Sequence, residues 1–326
     1  MIYADQRWIG NHGIGRFARH VLSGLIYQPV PLTSSPASPL DSCFLAQALR
    51  HLGSGDAFFS PGYNAPLFGS SRVFFTIHDL NHVQCPENRR PLVRLYYETV
   101  MKRACYRAAR VLTVSEFTRR QIIAWSGVSP EKVVNVGNGV ERTFCPDGDS
   151  YPLPFPYLLS VSNRRPHKNE FRIVEAFAKA KLDSQIHLVF TGQVTGKLGR
   201  WIDAHQVTSR VDFVGMVSEE KLPSLYRGAE ALIFPSLYEG FGLPIVEAMA
   251  CGTPVLTSNI TAMPEVAGNA ALLVDPRSVE QLSRAMREIL DKSLRRELCR
   301  RGLVRATAFS WQTTSDRVHG VLCNTA

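Results

Sequence analysis

The 326-residue sequence contains no uninterrupted run of the roughly 18 apolar residues that a membrane-spanning helix needs. Its first residues, MIYAD, lack the charged and then apolar pattern of a secretory signal. Its seven cysteines are scattered without a Cys-x-x-Cys pair, which argues against a paired-cysteine zinc site and against a disulfide framework. We therefore expect a cytoplasmic protein with reduced thiols and no structural metal.

Acidic residues are few relative to basic ones. The chain has 28 Asp and Glu against 37 Lys and Arg, which gives a formal net charge of +9. Such an excess attracts nucleic acid, an acidic membrane surface or a phosphorylated substrate. No basic stripe with interleaved aromatic residues is visible, so we expect no nucleic-acid partner.

Short apolar runs alternate with helical stretches along the chain, for example VFFTIHD from residue 73 and ALIFPS from residue 231. This alternation predicts βα units and parallel sheets. The proline-rich stretch FCPDGDSYPLPFP, from residue 144, separates two sets of such units. We predict an α/β protein with two doubly wound Rossmann-like domains, over residues 1–148 and 149–310, facing a central cleft, followed by a C-terminal helix over 311–326.

The stretch FPSLYEGFGLPIVEAMACG, from residue 234, carries Glu239 and Glu247 on either side of a glycine turn. A helix is expected to begin near Pro244, so that the preceding amides form an anion site at its N-terminus. These amides belong to Phe241, Gly242 and Leu243. Glu247, expected in the first turn, could be an electrostatic cap, and Glu239 a solvated loop residue. The two glycines instead favour close approach of a ligand to the backbone.

A second glycine turn lies in DQRWIGNHGIGRF, from residue 5. Gly13, Gly15 and Arg16 precede a helix expected to begin near Phe17, where backbone amides and a cation could meet a phosphate. The dinucleotide-binding spacing fails at Ala18, so an ordinary tight turn is the alternative.

A cationic loop, SNRRPHKNE from residue 162, follows the strand PYLLSVS. Arg164, Arg165 and Lys168 lie where phosphate neutralisation would be useful, and a solvated surface loop is equally compatible with the pattern. His78, with Asp79, follows another strand and could be functional or a half-buried structural histidine.

The segment from residue 89 to residue 110 is rich in Arg and has one acid, Glu98. It is typical of a basic amphipathic helix on anionic lipid, although a solvated helix is an alternative. Its expected apolar face comprises Leu92, Val93, Tyr96, Val100, Ala104 and Ala108.

Together these motifs resemble the family 4 retaining glycosyltransferases, which have the GT-B fold. Glu239 and Glu247 have seven residues between them within YEGFGLPIVEAMACGTPVLTS, which MPEVAGNAALLVDP follows. GIGRF, FFTIHDL, VLTVSEFTRRQII, PHKN and FSW occur in the family's order. The sequence departs from the family at His167, where relatives usually have Arg, and at Ser162, where many have Gly.

The resemblance implies roles for individual residues. The family's counterpart of Glu247 holds the nucleotide ribose, and that of Glu239, with the neighbouring amides, meets the transferred sugar and the diphosphate. Lys168 neutralises the diphosphate and His78 borders the donor sugar, so that these two residues and Glu239 form the expected catalytic set. The expected donor-binding set is Gly13, Gly15, Arg16, Arg164, Lys168, Met216, Glu239, Gly240, Phe241, Gly242, Leu243 and Glu247. The segment from Trp311 is expected to pack on the N-terminal domain.

The implied reaction is transfer of a hexose, expected to be mannose from GDP-mannose, to a surface polysaccharide or lipid-linked glycan. The family retains anomeric configuration, and we expect no metal or other cofactor. The expected partners are a nucleotide sugar, a glycan acceptor and an anionic membrane surface at the inner face of the cell membrane. A glycoside hydrolase and a non-catalytic sugar-nucleotide-binding protein are the rival interpretations.

Overall fold

The computed structural model describes residues 1–36, 38, 40–53, 55–69, 72–88 and 90–323. The chain divides into two compact units, one comprising Met1–Gly139 with Ser310–Ala326 and the other Val140–Phe309. The division follows Gly139, earlier than the predicted boundary after residue 148. The reason is that the intervening segment bonds to the second unit, for example through Arg227 Nη1, which donates to the Cys145 carbonyl at 3.2 Å.

The first unit contains a parallel six-stranded sheet in the order β2-β1-β3-β4-β5-β6. Its strands are β1 Ile2–Ala4, β2 Gln28–Pro29, β3 Ala57–Ser60, β4 Arg72–Thr76, β5 Arg110–Thr113 and β6 Val133–Asn135. Its helices before the crossing to the second unit are α1 Gly13–Leu22, α2 Asp41–Ala48, α3 Asn81–Gln84, α4 Pro91–Tyr96, α5 Lys102–Arg107 and α6 Glu116–Ser126.

The buried strands explain why this sheet forms. All four residues of β3 are buried, and Phe58, Phe59, Phe74 and Phe75 are fully inaccessible to solvent. A strand that is buried on both faces is expected in a parallel sheet covered by helices. The sheet order reverses beside β1, because the chain passes to β2 on one side and then to β3 on the other. Ligand sites of open parallel sheets form at such reversals.

A π-helical turn, Tyr97–Met101, joins α4 to α5. Buried residues recur there at intervals of four: Tyr97, Met101 and Cys105. An ideal helix turns about 40° too far at each four-residue step, and the wider π turn offsets that drift. The apolar face predicted for the segment from residue 89 to residue 110 was therefore wrong in part. Leu92 is 82% exposed, whereas Ala108 is buried in the core.

The second unit contains a parallel six-stranded sheet in the order β12-β11-β10-β7-β8-β9. Its strands are β7 Tyr157–Ser160, β8 His187–Phe190, β9 Val211–Phe213, β10 Ala231–Phe234, β11 Val255–Ser258 and β12 Ala271–Val274. Its helices are α7 Glu170–Ala180, α8 Gly196–Ala204, α9 Leu222–Gly228, α10 Leu243–Ala250, α11 Met263–Ala267, α12 Val279–Glu288 and α13 Lys292–Ala306.

The strand order of the second unit is that of a Rossmann domain. The α/β fold class with two doubly wound parallel sheets is thus confirmed. The core of this unit lies under β7, β8 and β10, where Leu158, Leu188 and Ile233 pack with Phe177 of α7 and Met286 of α12.

The last helix, α14 Trp311–Cys323, packs on α1 within the first unit. The Ser315 hydroxyl donates to the His20 carbonyl at 2.8 Å, and the Trp311 ring stacks on His20 at 4.6 Å. Gly139 permits the close approach of this helix, since a Cβ there would lie 2.2 Å from the Trp311 nitrogen. Across the described residues, none of the helices is long and apolar enough to cross a membrane.

Candidate functional site

The switch point of the second unit lies between β7 and β10, which are hydrogen-bonded neighbours. From β7 the chain runs outward to β8 and β9, and it then returns to β10 on the other side. The loops that leave β7 and β10 therefore diverge at their carboxyl ends, where open α/β sheets bind ligands. These two loops contain the cationic PHKN sequence and the YEGFG turn.

Lys168 and Glu239 meet across these loops. Lys168 ends a short 3₁₀ helix, Pro166–Lys168, and its Nζ atom lies 2.7 Å from Oε1 of Glu239. The side chains are 13% and 15% exposed, so the pair is largely shielded but remains within reach of solvent. Nζ also lies 4.8 Å from the centre of the Phe234 ring, a cation–π contact that further stabilises the ammonium.

The residues beside Lys168 fix its loop. Asn169 adopts the left-handed conformation, with φ of 64°, and its Nδ2 donates to the carbonyls of Pro235 and Pro276 at 3.0 and 2.6 Å. These carbonyls follow β10 and β12, so one buried amide ties three loops together. The His167 carbonyl accepts a hydrogen bond from the Leu237 amide at 2.7 Å. The Nε2 atom of the His167 ring lies 4.0 Å from Glu239 Oε1.

The glycine turn is close to the predicted geometry. Gly242 caps α10 with φ of 97°, a conformation that glycine adopts without strain, and α10 begins at Leu243. Gly240 and Phe241 are buried, and the Phe241 ring packs edge-on against Phe309 at 5.5 Å. The turn thus brings backbone close to Glu239 at a helix N-terminus, which suits an anion.

The expected position of Glu247 was wrong. Glu247 is the fifth residue of α10 and lies in its second turn, where the helix dipole stabilises an acid only weakly. It is 1% exposed, and its Oε2 accepts a 2.8 Å hydrogen bond from the buried Tyr226 hydroxyl. Burial of a carboxylate is costly unless it is hydrogen-bonded, so electrostatic capping does not account for Glu247.

Arg164 lies in the same loop as Lys168, but its guanidinium is held by other groups. It pairs with the Glu170 carboxylate and donates to the carbonyls of Thr191 and Gln193. It also lies over the ring of Phe213, 5.1 Å from the centre. The predicted diphosphate contact of Arg164 would require at least part of this arrangement to open.

Met216 lies in the loop after β9 and is 91% exposed. Gly215 precedes it with φ of 70°, and the Gly215 carbonyl accepts from the Gly192 amide at 2.6 Å. The predicted donor-binding Met216 therefore projects into solvent from the carboxyl end of the sheet. In the described part of the chain, no group of three or more His, Cys, Asp or Glu side chains is arranged to hold a metal ion.

His78 belongs to the first unit and lies just beyond β4. Its Nε2 is 2.8 Å from the Pro61 carbonyl, and the ring packs edge-on against Phe17 at 4.9 Å. Burial lowers the pKa of His78 to about 4, although the hydrogen bond with the Pro61 carbonyl acts in the opposite direction. The ring is therefore neutral at pH 7. Since a carbonyl can only accept, Nε2 carries the proton and Nδ1 remains an acceptor.

The first glycine turn differs from its prediction. Helix α1 begins at Gly13, so Gly13, Gly15 and Arg16 lie in its first turn and not in a loop before Phe17. The His12 Nδ1 caps the helix by accepting from the Gly15 amide at 3.0 Å. A Cβ at residue 15 would lie 2.2 Å from the Gly10 carbonyl oxygen, which explains the glycine by close packing.

The structure thus brings Lys168, Glu239 and the glycine turn together at one edge of the second sheet, and His78 together with α1 in the first unit. Sequence reasoning missed the supporting roles of Asn169 and Tyr226. Asn169 was visible in the PHKN motif, whereas Tyr226 has no sequence signal of its own.

Two family models match the chain. The one described as Glycosyltransferase Family 4 matches residues 19–144, and the one described as Glycosyl transferases group 1 matches residues 151–302. Together they span most of both units.

Known proteins agree with these matches. O-antigen chain mannosyltransferase B of Escherichia coli is 31% identical over 262 residues, which cover 76% of this chain and 68% of that protein. The serotype-specific mannosyltransferase WbdA of Escherichia coli is 30% identical over 227 residues, which cover 64% of this chain and only 28% of WbdA. The sucrose-phosphate synthase of Thermosynechococcus elongatus superposes with a TM-score of 0.79 at 20% identity, over 99% of this chain and 98% of that one. The chain belongs to the family 4 glycosyltransferases with the GT-B fold.

Proposed function

We propose that this chain transfers a mannosyl residue from GDP-mannose to a glycan acceptor of surface polysaccharide assembly, either a polysaccharide or a lipid-linked glycan. The observation that carries the proposal is the Lys168–Glu239 pair beside the glycine turn at the switch point. The mannosyltransferase relatives support the sugar and the class of acceptor.

The pair suits a sugar diphosphate because Lys168 can bind the diphosphate and Glu239 can bind the sugar. A diphosphate would attract the Lys168 ammonium and the amides at the start of α10. Glu239 would then be released from its ion pair and accept hydrogen bonds from sugar hydroxyls. Once the donor has bound, both groups would already face it before the bond breaks, so little further reorganisation would oppose charge development.

We propose that the reaction retains anomeric configuration. The bond between the anomeric carbon and the diphosphate oxygen breaks, and the bonding electrons leave with the nucleoside diphosphate. The acceptor hydroxyl oxygen forms the new bond on the same face, and its proton passes to the departing phosphate oxygen. Lys168 and the helix amides stabilise the charge on the leaving group. Nδ1 of His78 accepts a hydrogen bond from a hydroxyl of the donor sugar.

We further propose that no metal or other cofactor takes part, since a cation and a helix N-terminus already serve the diphosphate. The nucleotide ribose is assigned to Glu247. The expected location is the cytoplasm, at the inner face of the cell membrane, where a lipid-linked acceptor would lie. A hydrolase is less favoured, because Lys168 beside Glu239 supplies a cation for a diphosphate, which a simple glycoside lacks.

A panel of nucleotide sugars tests the donor. Release of nucleoside diphosphate is measured for GDP-mannose and for UDP-linked hexoses, with and without a mannan acceptor and with and without EDTA. The proposal predicts acceptor-dependent release of GDP that is insensitive to EDTA, and an α-linked product by NMR. Glu239→Gln should abolish release, whereas Glu220→Gln, at an exposed residue of the same unit, should not. If only a UDP-sugar gave acceptor-dependent release of nucleoside diphosphate, the donor would be that UDP-sugar and not GDP-mannose.

A further inference from the structure

Apolar side chains are exposed on three neighbouring segments of the first unit. Leu92 and Leu95 of α4 are 82% and 58% exposed, and Phe68, in the loop between β3 and β4, is 56% exposed. We name this the Leu92 surface and define it by six exposed residues: Leu40, Phe44, Leu67, Phe68, Leu92 and Leu95.

Hydrogen bonds show that these segments are contiguous. The Leu67 amide donates to the Ser42 carbonyl at 2.9 Å, which joins the loop to the start of α2. The Ser42 hydroxyl lies 3.0 Å from the Tyr96 hydroxyl, which joins α2 to α4. Arg107 of α5 donates to the Leu67 carbonyl, which joins the loop to α5, the helix that continues from α4 through the π turn.

Packing inside the unit does not account for Leu92 and Leu95. The inner face of this helix is already occupied by Tyr97, Met101 and Cys105, which are buried in the core. Leu92 and Leu95 are three residues apart and so share a face, the one directed away from that core. Clustered exposed apolar side chains of this kind mark a binding surface more often than scattered ones do.

Cations surround the apolar side chains. Arg90, Arg94, Arg103 and Arg107 are exposed on or beside the same helix. The acids there are Glu87 and Glu98, and Glu98 is paired with Lys102 at 3.8 Å. Positive charge therefore predominates around the Leu92 surface, which complements an anionic partner.

We propose that the Leu92 surface docks the protein on an anionic lipid bilayer. The leucines and Phe68 would enter the interface between headgroups and acyl chains, and the arginines would contact lipid phosphates. The arginine side chains can extend along the apolar surface while their charged ends remain at the headgroups. This docking deepens the proposed function, because it would bring the chain to a membrane that holds its acceptor. Only this benefit rests on the proposed function; the binding to lipid does not.

Vesicle flotation of the full chain tests the proposal. The vesicles contain phosphatidylcholine alone or phosphatidylcholine with phosphatidylglycerol. We expect flotation with the anionic vesicles only, and less of it at high salt, since the arginine contribution is screened. The double variant Leu92→Ser/Leu95→Ser should lose flotation, and Arg94→Glu/Arg103→Glu should weaken it by about fivefold or more for each arginine.

A matched control comes from the second unit. Val304 is 65% exposed and Arg296 is exposed on the same helix, α13, so Val304→Ser/Arg296→Glu removes the same chemistry elsewhere. This control should float like the wild-type protein. Thermal unfolding verifies that every variant is folded, which is expected because the changed side chains lie at the surface.

Three results would overturn the proposal: flotation of Leu92→Ser/Leu95→Ser equal to that of the wild type, equal flotation with neutral vesicles, or no flotation of the wild type. A wild-type dimer in light scattering that this variant dissociates would assign the surface to a second copy instead. Transfer to a soluble mannan acceptor is measured in parallel. Docking can therefore fail while transferase activity persists, and activity can fail while docking persists.

Discussion

Nζ of Lys168 lies 2.7 Å from Oε1 of Glu239, although 71 residues separate the two in the chain. The contact exists because β7 and β10 are adjacent and the chain reverses between them. Each charge stabilises the other, and a sugar diphosphate would compete for the lysine while its sugar meets the glutamate. The proposed function depends on this relationship.

Lys168→Ala should lower kcat/KM on the order of 10²–10³-fold, because the leaving diphosphate loses its cation. Steady-state release of nucleoside diphosphate measures the effect. Lys168→Arg should recover part of the activity by restoring the charge. Lys197→Ala, at an exposed lysine of the same unit, should act like wild type. An active Lys168→Ala enzyme would remove Lys168 from the site.

Tyr226→Phe should raise the KM for the donor roughly five- to tenfold and change kcat little. The Tyr226 hydroxyl orients Glu247, and its loss removes a buried hydrogen bond whose net contribution is about 1 kcal/mol. Tyr157→Phe is the matched control, because its hydroxyl donates to the Leu225 carbonyl at the same distance of 2.8 Å. Equal donor KM values in the two variants would show that Tyr226 only stabilises the fold.

Arg164→Ala should lower the free energy of unfolding by about 3 kcal/mol, because it leaves the 7% exposed Glu170 carboxylate without its cation. Urea denaturation measures the loss. Arg284→Ala breaks an exposed pair with Glu288 and should cost less than about 1 kcal/mol. A stable Arg164→Ala protein with a greatly raised donor KM would instead support the diphosphate contact predicted from sequence.

The free energy of unfolding should fall as the pH decreases from about 6.5 to about 4. In this range the unfolded chain protonates His78, whereas the folded chain keeps it neutral because its pKa is lowered to about 4. The full contribution of this shift is about 3 kcal/mol. Above pH 6.5 His78 is neutral in both states and adds no pH dependence.

Urea denaturation of the wild type, His78→Phe and His51→Gln at pH 7 and at pH 4.5 checks this expectation. His78→Phe should lose less stability between these pH values than the wild type does. His51→Gln changes an exposed histidine of the same unit and should match the wild type. An equal loss in all three proteins would mean that His78 does not contribute.

Much of the fold could be predicted from the sequence because the strands of a parallel sheet are local apolar runs. The runs that became β4, β7 and β10 were each recognisable from their own residues. Strand β2 has only two residues, both exposed, and β3 is a four-residue run; neither was predicted. Periodicity is weak over so few residues.

The candidate site was predictable where its residues are close in sequence, as for Glu239, the glycine turn and Glu247. Contacts between distant residues were not predictable, because they depend on which strands become neighbours. The Lys168 partner of Glu239 and the Tyr226 partner of Glu247 are of this kind. The position of Glu247 in the second helical turn also depended on a helix start that sequence fixes only within a few residues.

The most direct measurement is the mass of a mannan acceptor after incubation with GDP-mannose, recorded together with the GDP released. The proposed function predicts a gain of one hexose per transfer, one GDP for each hexose, and loss of both signals in Glu239→Gln. Free mannose without a heavier acceptor would indicate hydrolysis and contradict it. Folded wild-type protein that releases no nucleoside diphosphate from any donor would contradict it as well.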